Sequence, residues 1–280
     1  MWGMTGVGVV AVLSSVILCG CLVDGQTTQC SIPNYRVMAI PLPGFTNVYT
    51  NATGTYYTGF VIDLLYAMAR VANFTFTISL GNPSDFGRTT GQASSGGCFG
   101  GGIGSLQSGG FDILAAAMDY VYGYNTAVDF TAPIFRSDVQ FIYNTYTGLA
   151  NSYYMVIGNT AGRDLLENSK DPTLMAIWAN IQKWLPTSLP NTYEEAIALV
   201  KMGGWALFGR TPLIDQAVCD SYGQIAKDPK VYKRTYASFA VQKNSNILSK
   251  LNLAILQLQG DNTIDNLLYK WFPCSNFACS

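Results

Sequence analysis

The sequence predicts an α/β fold, and three observations carry that prediction. Residues 111–116 form an apolar run of strand length behind Gly109 and Gly110. Apolar residues recur at helical spacing at Leu64, Leu65, Met68 and Val71, and again at Ile247, Leu251, Ala254, Ile255 and Leu258. Between them, residues 109–135 read as a strand, a polar and aromatic loop over 119–126, and an extended return to Pro133, whose predecessor is pushed out of the α region. An α/β protein presents loop residues in this way at the carboxyl end of its sheet, where ligands bind.

The chain has 280 residues with a formal charge of −1, and 12% of its residues are charged. That balance offers neither a basic surface for nucleic acid nor an acidic tail. Residues 7–23 are the only long apolar run, and Val23 and Gly25 are small residues at a cleavage position, so residues 1–25 are expected to be a secretory signal peptide. The alternatives are an uncleaved anchor and a bacterial lipoprotein box at Leu18-Cys19-Gly20-Cys21, which would leave Cys21 lipidated. Residues 60–80 are broken by Asp63 and Arg70, so no other segment supplies the ~20 apolar residues of a membrane helix. The remaining chain, about 255 residues, suffices for one large domain or two lobes. It is expected outside the cell, or periplasmic or lipid-anchored if bacterial.

Asn51-Ala52-Thr53 and Asn73-Phe74-Thr75 are glycosylation sequons. There is no histidine, which removes His-based triads and imidazole metal sites. Cys30, Cys98, Cys219, Cys274 and Cys279 lack zinc spacing and read as disulfides in an exported chain, with one thiol left over. No metal and no cofactor is expected.

In chain order, residues 35–40 form a strand closed by Pro41-Leu42-Pro43, and 46–55 a polar loop with the first sequon. Residues 57–65 enter the first helix, 74–80 alternate as a half-buried strand, and 82–97 are a Gly/Ser/Thr loop. The glycine-rich run 99–106 starts a short helix; it lacks the Gly-Lys-Ser/Thr ending of a phosphate-binding loop. Strands at 139–143 and 153–157 flank a bare polar linker over 144–152, and helices follow at 165–168 and 172–184. Thr192 and Glu195 make a capping box for a helix through Val200; Gly203-Gly204 stops it before a strand at 205–208. Thr211-Pro212 caps a short helix ending near Cys219, with proline at its first position. Residues 232–241 are extended, and helices at 245–259, stopped by Gly260, and 264–272 complete the chain.

These residues together resemble the ligand-binding domains of ionotropic glutamate receptors and the related bacterial solute-binding proteins. The family pattern G-x-D-I-(A/V)-x-A-P-L-T, then an arginine, then D-F-S-x-P, runs without a gap from Asp112 to Asp129. Its aromatic-x-G-(F/Y)-x-x-D-L-L entry is matched from Tyr57 to Leu65, and its W-x-G-(M/L)-(V/I)-G-x-L from Phe99 to Leu106. Its closing N-x-A-I-L-x-L and L-x-x-K-W-W are matched from Asn252 and up to Lys270-Trp271-Phe272. The resemblance implies a two-lobed clamshell of the type II periplasmic-binding-protein kind, each lobe a sheet flanked by helices. Lobe 1 would take residues 26–138, lobe 2 residues 139–241 with hinge crossings at both ends, and 242–280 would return to lobe 1. Receptors of this family insert pore-forming segments where this chain has only 144–152, so no pore is expected.

The framework residues match and the ligand-contacting ones do not. The family's carboxylate-binding arginine falls on Tyr124, its Pro-Leu-Thr triplet on Ala117-Met118-Asp119, and its helix-start Ser/Thr pair on Ala161 and Gly162. Its lobe-two acid falls on Arg210, with Asp215 as fallback, and the tyrosine that packs over the ligand on Tyr57. Tyrosine supplies neither the parallel donors nor the charge of a guanidinium, so glutamate or glycine is not expected to bind in the usual pose. Asp119 could hold an amine, Arg210 a carboxylate or other anion, and Tyr57 and Tyr124 could stack on a flat or apolar ligand. Alternatively Asp119 and Arg210 pair across the closed cleft. The resemblance also implies that Cys219 pairs with Cys274 or Cys279; Cys30 with Cys98 is a second candidate pairing. Three classes follow. The first is a secreted, poreless binder of an amine, carboxylate or aromatic, either animal and receptor-like or a bacterial ABC-uptake protein. The second is an enzyme using Asp119 as acid or base with Tyr124 or Tyr57. The third is an interaction or decoy protein with a vestigial cleft.

Overall fold

The computed structural model describes residues 32–82, 99–119, 123–158 and 160–275, the side chains of Asp119 and Ala161 excepted, together with a short pairing of Leu22–Val23 with Gln26–Thr27. Residues Met1–Pro33 and Asn34–Ser280 form separate units. Most of the expected leader, the proposed Cys30–Cys98 pair, Cys279 and most of the Gly/Ser/Thr loop over 82–97 lie outside the described residues.

In the larger unit, β1 (Asn34–Ala39) leads to a hairpin of β2 (Asn47–Asn51) and β3 (Gly54–Thr58). Then come α1 (Phe60–Ala72), β4 (Thr75–Leu80), α2 (Gly101–Gln107), β5 (Ile113–Asp119) and β6 (Val128–Phe130). The chain continues through β7 (Phe135–Asn144), β8 (Tyr153–Met155), α3 (Ala161–Glu167), α4 (Pro172–Gln182), α5 (Tyr193–Met202) and β9 (Trp205–Arg210). It closes with α6 (Leu213–Cys219), β10 (Ile225–Lys227), β11 (Lys233–Gln242), α7 (Leu248–Gly260) and α8 (Thr263–Trp271). The strands order as β8-β9-β7-β11-β5-β1-β4, with β10 also on β7 and β6 on β11.

This sheet has two halves, and period-two alternation gives each half two apolar faces. Around β1 and β5, Val37, Ile113 and Ala115 face α1, α7 and α8, while Met38, Leu114 and Ala116 face Ile103 and Leu106 of α2. Around β7 and β9, Phe141 and Phe208 face Leu174, Ile177 and Ile181 of α4. On the other side Ile142 and Leu207 face α5 and α6. Only β7 and β11 run through both halves. β11 pairs with Phe135 to Val139 of β7 along its first part, then with β5 and β6.

Several local expectations change. Residues 46–55 are not a loop: they carry most of the hairpin, whose exposed polar face hides the strand signal. The helix expected at 165–168 begins at Ala161. The capping box is offset, since Thr192 Oγ1 accepts from the Glu195 amide at 3.2 Å but the Glu195 carboxylate accepts from the Asn191 amide at 2.8 Å. Thr211 does not cap α6; its hydroxyl accepts from the Asp138 amide at 2.9 Å, and Pro212 precedes the helix.

The entry to α1 explains its glycine. The Phe60 and Val61 amides, orphaned at a helix start, donate to the Gly44 and Phe45 carbonyls at 2.9 Å each. Gly59 allows that approach with a φ of 122°, and a Cβ there would run into the Phe45 carbonyl. Gly59→Ala is expected to cost more than ~1 kcal/mol in urea unfolding, the strained case of a glycine substitution. The disulfide joins Cys219 to Cys274, the first of the two expected partners, across a separation of 55 residues. Replacing both cysteines by alanine is expected to cost on the order of 4 kcal/mol, lowering Tm by roughly 10 °C at this chain size. A Tm unchanged by the double substitution would show that the bond contributes nothing.

Candidate functional site

Between the two halves lie two adjoining cavities. The inner one, about 90 Å³, is walled by Met118, Val139, Val156, Phe208, Leu213 and Ile214, with Arg210, Thr160 and Gly162 also on its surface. The outer one, about 390 Å³, runs under the β2–β3 hairpin past Val48 and Tyr49. The two share the walls Leu42, Ile157, Thr160 and Tyr193. Tyr193 is fixed in this wall because its hydroxyl donates to the Leu213 carbonyl at 2.7 Å. Burial and the nearby acids Asp220, Glu194 and Asp215 push its phenol well above the ordinary range, so it stays a neutral donor.

Tyr124, at the arginine position, does not stand in open cleft. It sits in a turn over Tyr124–Thr126, is 4% exposed, and meets Phe99 edge-on at 5.6 Å. Its hydroxyl donates to the Asp164 carboxylate at 2.6 Å, the length of a charge-assisted bond. Asp164 lies in the first turn of α3, itself buried, beside Leu166 of the other half's apolar layer. The bond therefore joins the layers of the two halves. A second tie is parallel to it: Arg210, at the end of β9, donates to the carbonyl of Ala117 in β5.

The other expected positions are distributed unevenly. Gly162 lines the inner cavity, and Thr160, one residue before α3, donates its hydroxyl to the Ile157 carbonyl at 2.8 Å. Ala117 is buried and contributes its carbonyl. Tyr57 is half-buried opposite Val48 in the hairpin and lines neither cavity; Val48 and Tyr49 do. Asp215 is paired with Lys227. The side chains of Asp119 and Ala161 lie outside the described structure. Sequence reasoning missed Asp164, Leu42 and Tyr193. Of these, only Tyr193 had a signal, its place beside the Thr192 cap.

Comparison with known proteins places this geometry. Residues 34–147 match the family described as the ligated ion channel L-glutamate- and glycine-binding site. Residues 97–273 match the bacterial extracellular solute-binding proteins, family 3. The kainate-type ionotropic glutamate receptor glr-3 of Caenorhabditis elegans is 31% identical over 87 residues, 31% of this chain and 10% of that protein. A probable glutamate receptor of Anas platyrhynchos is 25% identical over 150 residues, 52% of this chain and 31% of that one. The chain thus matches less than a third of the length of either relative. The Drosophila muscle GluRIIB complex with glutamate superposes with a TM-score of 0.77 at 18% identity, covering 86% of this chain and 100% of that one. At that identity the likeness is one of fold, the two-lobed clamshell. With the solute-binding match spanning well over half of its residues, the chain belongs to the family 3 extracellular solute-binding proteins and is an ionotropic-glutamate-receptor-like ligand-binding domain.

Proposed function

We propose that this chain is an extracellular, poreless clamshell that closes on a small molecule other than glutamate or glycine. The observation that carries the reading is the Tyr124–Asp164 bond. Where the resemblance calls for a guanidinium to receive a ligand carboxylate, a phenol is already donating to a carboxylate of the protein itself. An α-carboxylate entering there would meet a phenol in place of a guanidinium and would have to compete with Asp164 for the hydroxyl. In this reading lobe 1 comprises residues 26–138 and 242–280 and lobe 2 residues 139–241, with β7 and β11 as the hinge crossings.

The pore-free part of the proposal is supported by the link from Asn144 to Tyr153. It consists of a turn and a short helical turn over Leu149–Asn151, far from the ~20 apolar residues of a membrane span. No helix among the described residues is long and apolar enough to cross a membrane. The extracellular part is supported by the family and by the two sequons, whose Asn51 and Asn73 are both exposed.

Thermal-shift titration of the full chain tests the reading. Glutamate and glycine at about 1 mM should leave Tm unmoved, whereas a true ligand at ~100 times its Kd adds about 2.7 kcal/mol. A strong glutamate shift would overturn the proposal. Tyr124→Phe removes a buried hydrogen bond to a charged group and should lower stability by about 1.5–3 kcal/mol in urea titration. A neutral effect would mean that the bond does not hold the halves together.

A further inference from the structure

We propose that the end of the sheet where β7 finishes docks on the surface of a lipid bilayer, its aromatic and aliphatic side chains entering the headgroup zone and two lysines meeting anionic headgroups. The proposal stands whether or not the cleft takes a ligand. The sheet defines this end: β7 stops there at Asn144, and β8, β9 and β10 start there, with Tyr153 opposite Trp205, Tyr143 opposite Ala206 and Asn144 opposite Ile225. The turns that cap it are bonded to one another. Asn144 Nδ2 and Gln224 Nε2 both donate to the Lys201 carbonyl, at 2.9 and 3.1 Å. The Thr145 amide donates to the Gln224 carbonyl at 3.0 Å, and the Tyr153 amide to the Gly204 carbonyl at 2.8 Å.

The three most exposed large apolar side chains among the described residues all stand on these turns: Tyr222 at 98%, Tyr146 at 90% and Met202 at 81%. Leu185, Tyr153 and Trp184 add to them, the last two with ring centroids 4.1 Å apart. A contiguous exposed group of this kind marks an interaction surface. Tyr222 is held outside against its backbone preference, since its φ of 51° is a left-handed value that bulky residues seldom adopt.

Residue type and charge identify the partner. Tyr and Trp, apolar in the ring and polar at the tip, suit the boundary between water and hydrocarbon. Segments 143–153, 183–185, 201–206 and 221–227 carry Lys183, Lys201 and Lys227 and no acid. Lys227 is paired with Asp215, whereas Lys183 and Lys201 are exposed and neither has an ion pair among the described residues. Asp220, the nearest acid in sequence, accepts from Gln216 Nε2 at 2.9 Å. That balance complements an anionic surface. Neither sequon falls in these segments, so no glycan signal interrupts the face.

Methionine methyl resonances of the full chain test the proposal, with spin-labelled vesicles of phosphatidylcholine and about 30% phosphatidylserine as the probe. The Met202 methyl should broaden and that of Met175 should not; Met175 is also exposed but stands near the start of α4, roughly 13 Å along the helix direction from Trp184. Tyr146→Ser combined with Tyr222→Asn should abolish the broadening and leave Tm unmoved. Lys183→Gln combined with Lys201→Gln should erase the preference for these vesicles over pure phosphatidylcholine. No broadening at Met202, equal broadening at both methyls, or broadening that survives the tyrosine substitutions overturns the proposal. If Met202 responds to protein concentration and not to vesicles, the end is an interface between copies of this chain and the bilayer reading is wrong.

Discussion

Everything in this fold hangs on two ten-residue strands that belong to both halves. β7 and β11 pair with one another from Phe135 opposite Ala237 to Val139 opposite Lys233. Beyond that short shared ladder they part: β7 goes to β9 and β10, and β11 to β5 and β6. Each half then completes its own apolar layers on both faces. Under the proposed reading, a joint of two strands would let the halves rotate by small changes along the shared ladder while both cores stay packed, the hinge type of motion. The Cys219–Cys274 bond adds a covalent link, since it ties the end of α6 to the segment after α8.

Given such a joint, the position of the halves depends on what crosses the cleft. Here the protein supplies part of that crossing itself, through Tyr124 to Asp164 and Arg210 to Ala117. A ligand shifts a two-state equilibrium only by its differential affinity for the two states. Internal ties that already favour closure leave less for the ligand to contribute.

The framework was legible in the sequence because its motif residues bond to one another. Asp63 of the first helix accepts from both Lys270 Nζ and Trp271 Nε1 at 2.7 Å, so two motifs 207 residues apart are one contact. Asn252 accepts from the Ala132 amide at 2.7 Å, and Asp129 accepts from Lys243 and the Asn244 amide. Each of these residues holds the framework itself, away from the residues that line the cavities. The site was less legible for the opposite reason. Tyr124 could be placed by counting, but its burial depends on Phe99 and on Asp164 forty residues on, contacts without a local pattern. Arg210 bonds to a backbone carbonyl, which leaves no mark on the sequence of its partner. The hairpin escaped because Asn47–Asn51 is mostly exposed and shows no alternation for a periodicity argument to detect.

The replaced positions are coherent when taken together. In the glutamate-type arrangement that the resemblance describes, the cleft supplies a cation and the ligand supplies the acid. With tyrosine at the arginine position, a carboxylate would be stranded unless it were small in charge demand or fixed in advance. Asp164 is fixed in advance, held in the first turn of α3, where the helix dipole favours negative charge, and close enough for a 2.6 Å bond. Under the proposed reading, an amino acid in the family's usual pose would have to compete with Asp164 for the Tyr124 hydroxyl, the kind of mismatch that discriminates strongly between substrates. Under the proposed reading, the tyrosine at the arginine position and the buried Asp164 therefore act together, since each is the other's hydrogen-bond partner.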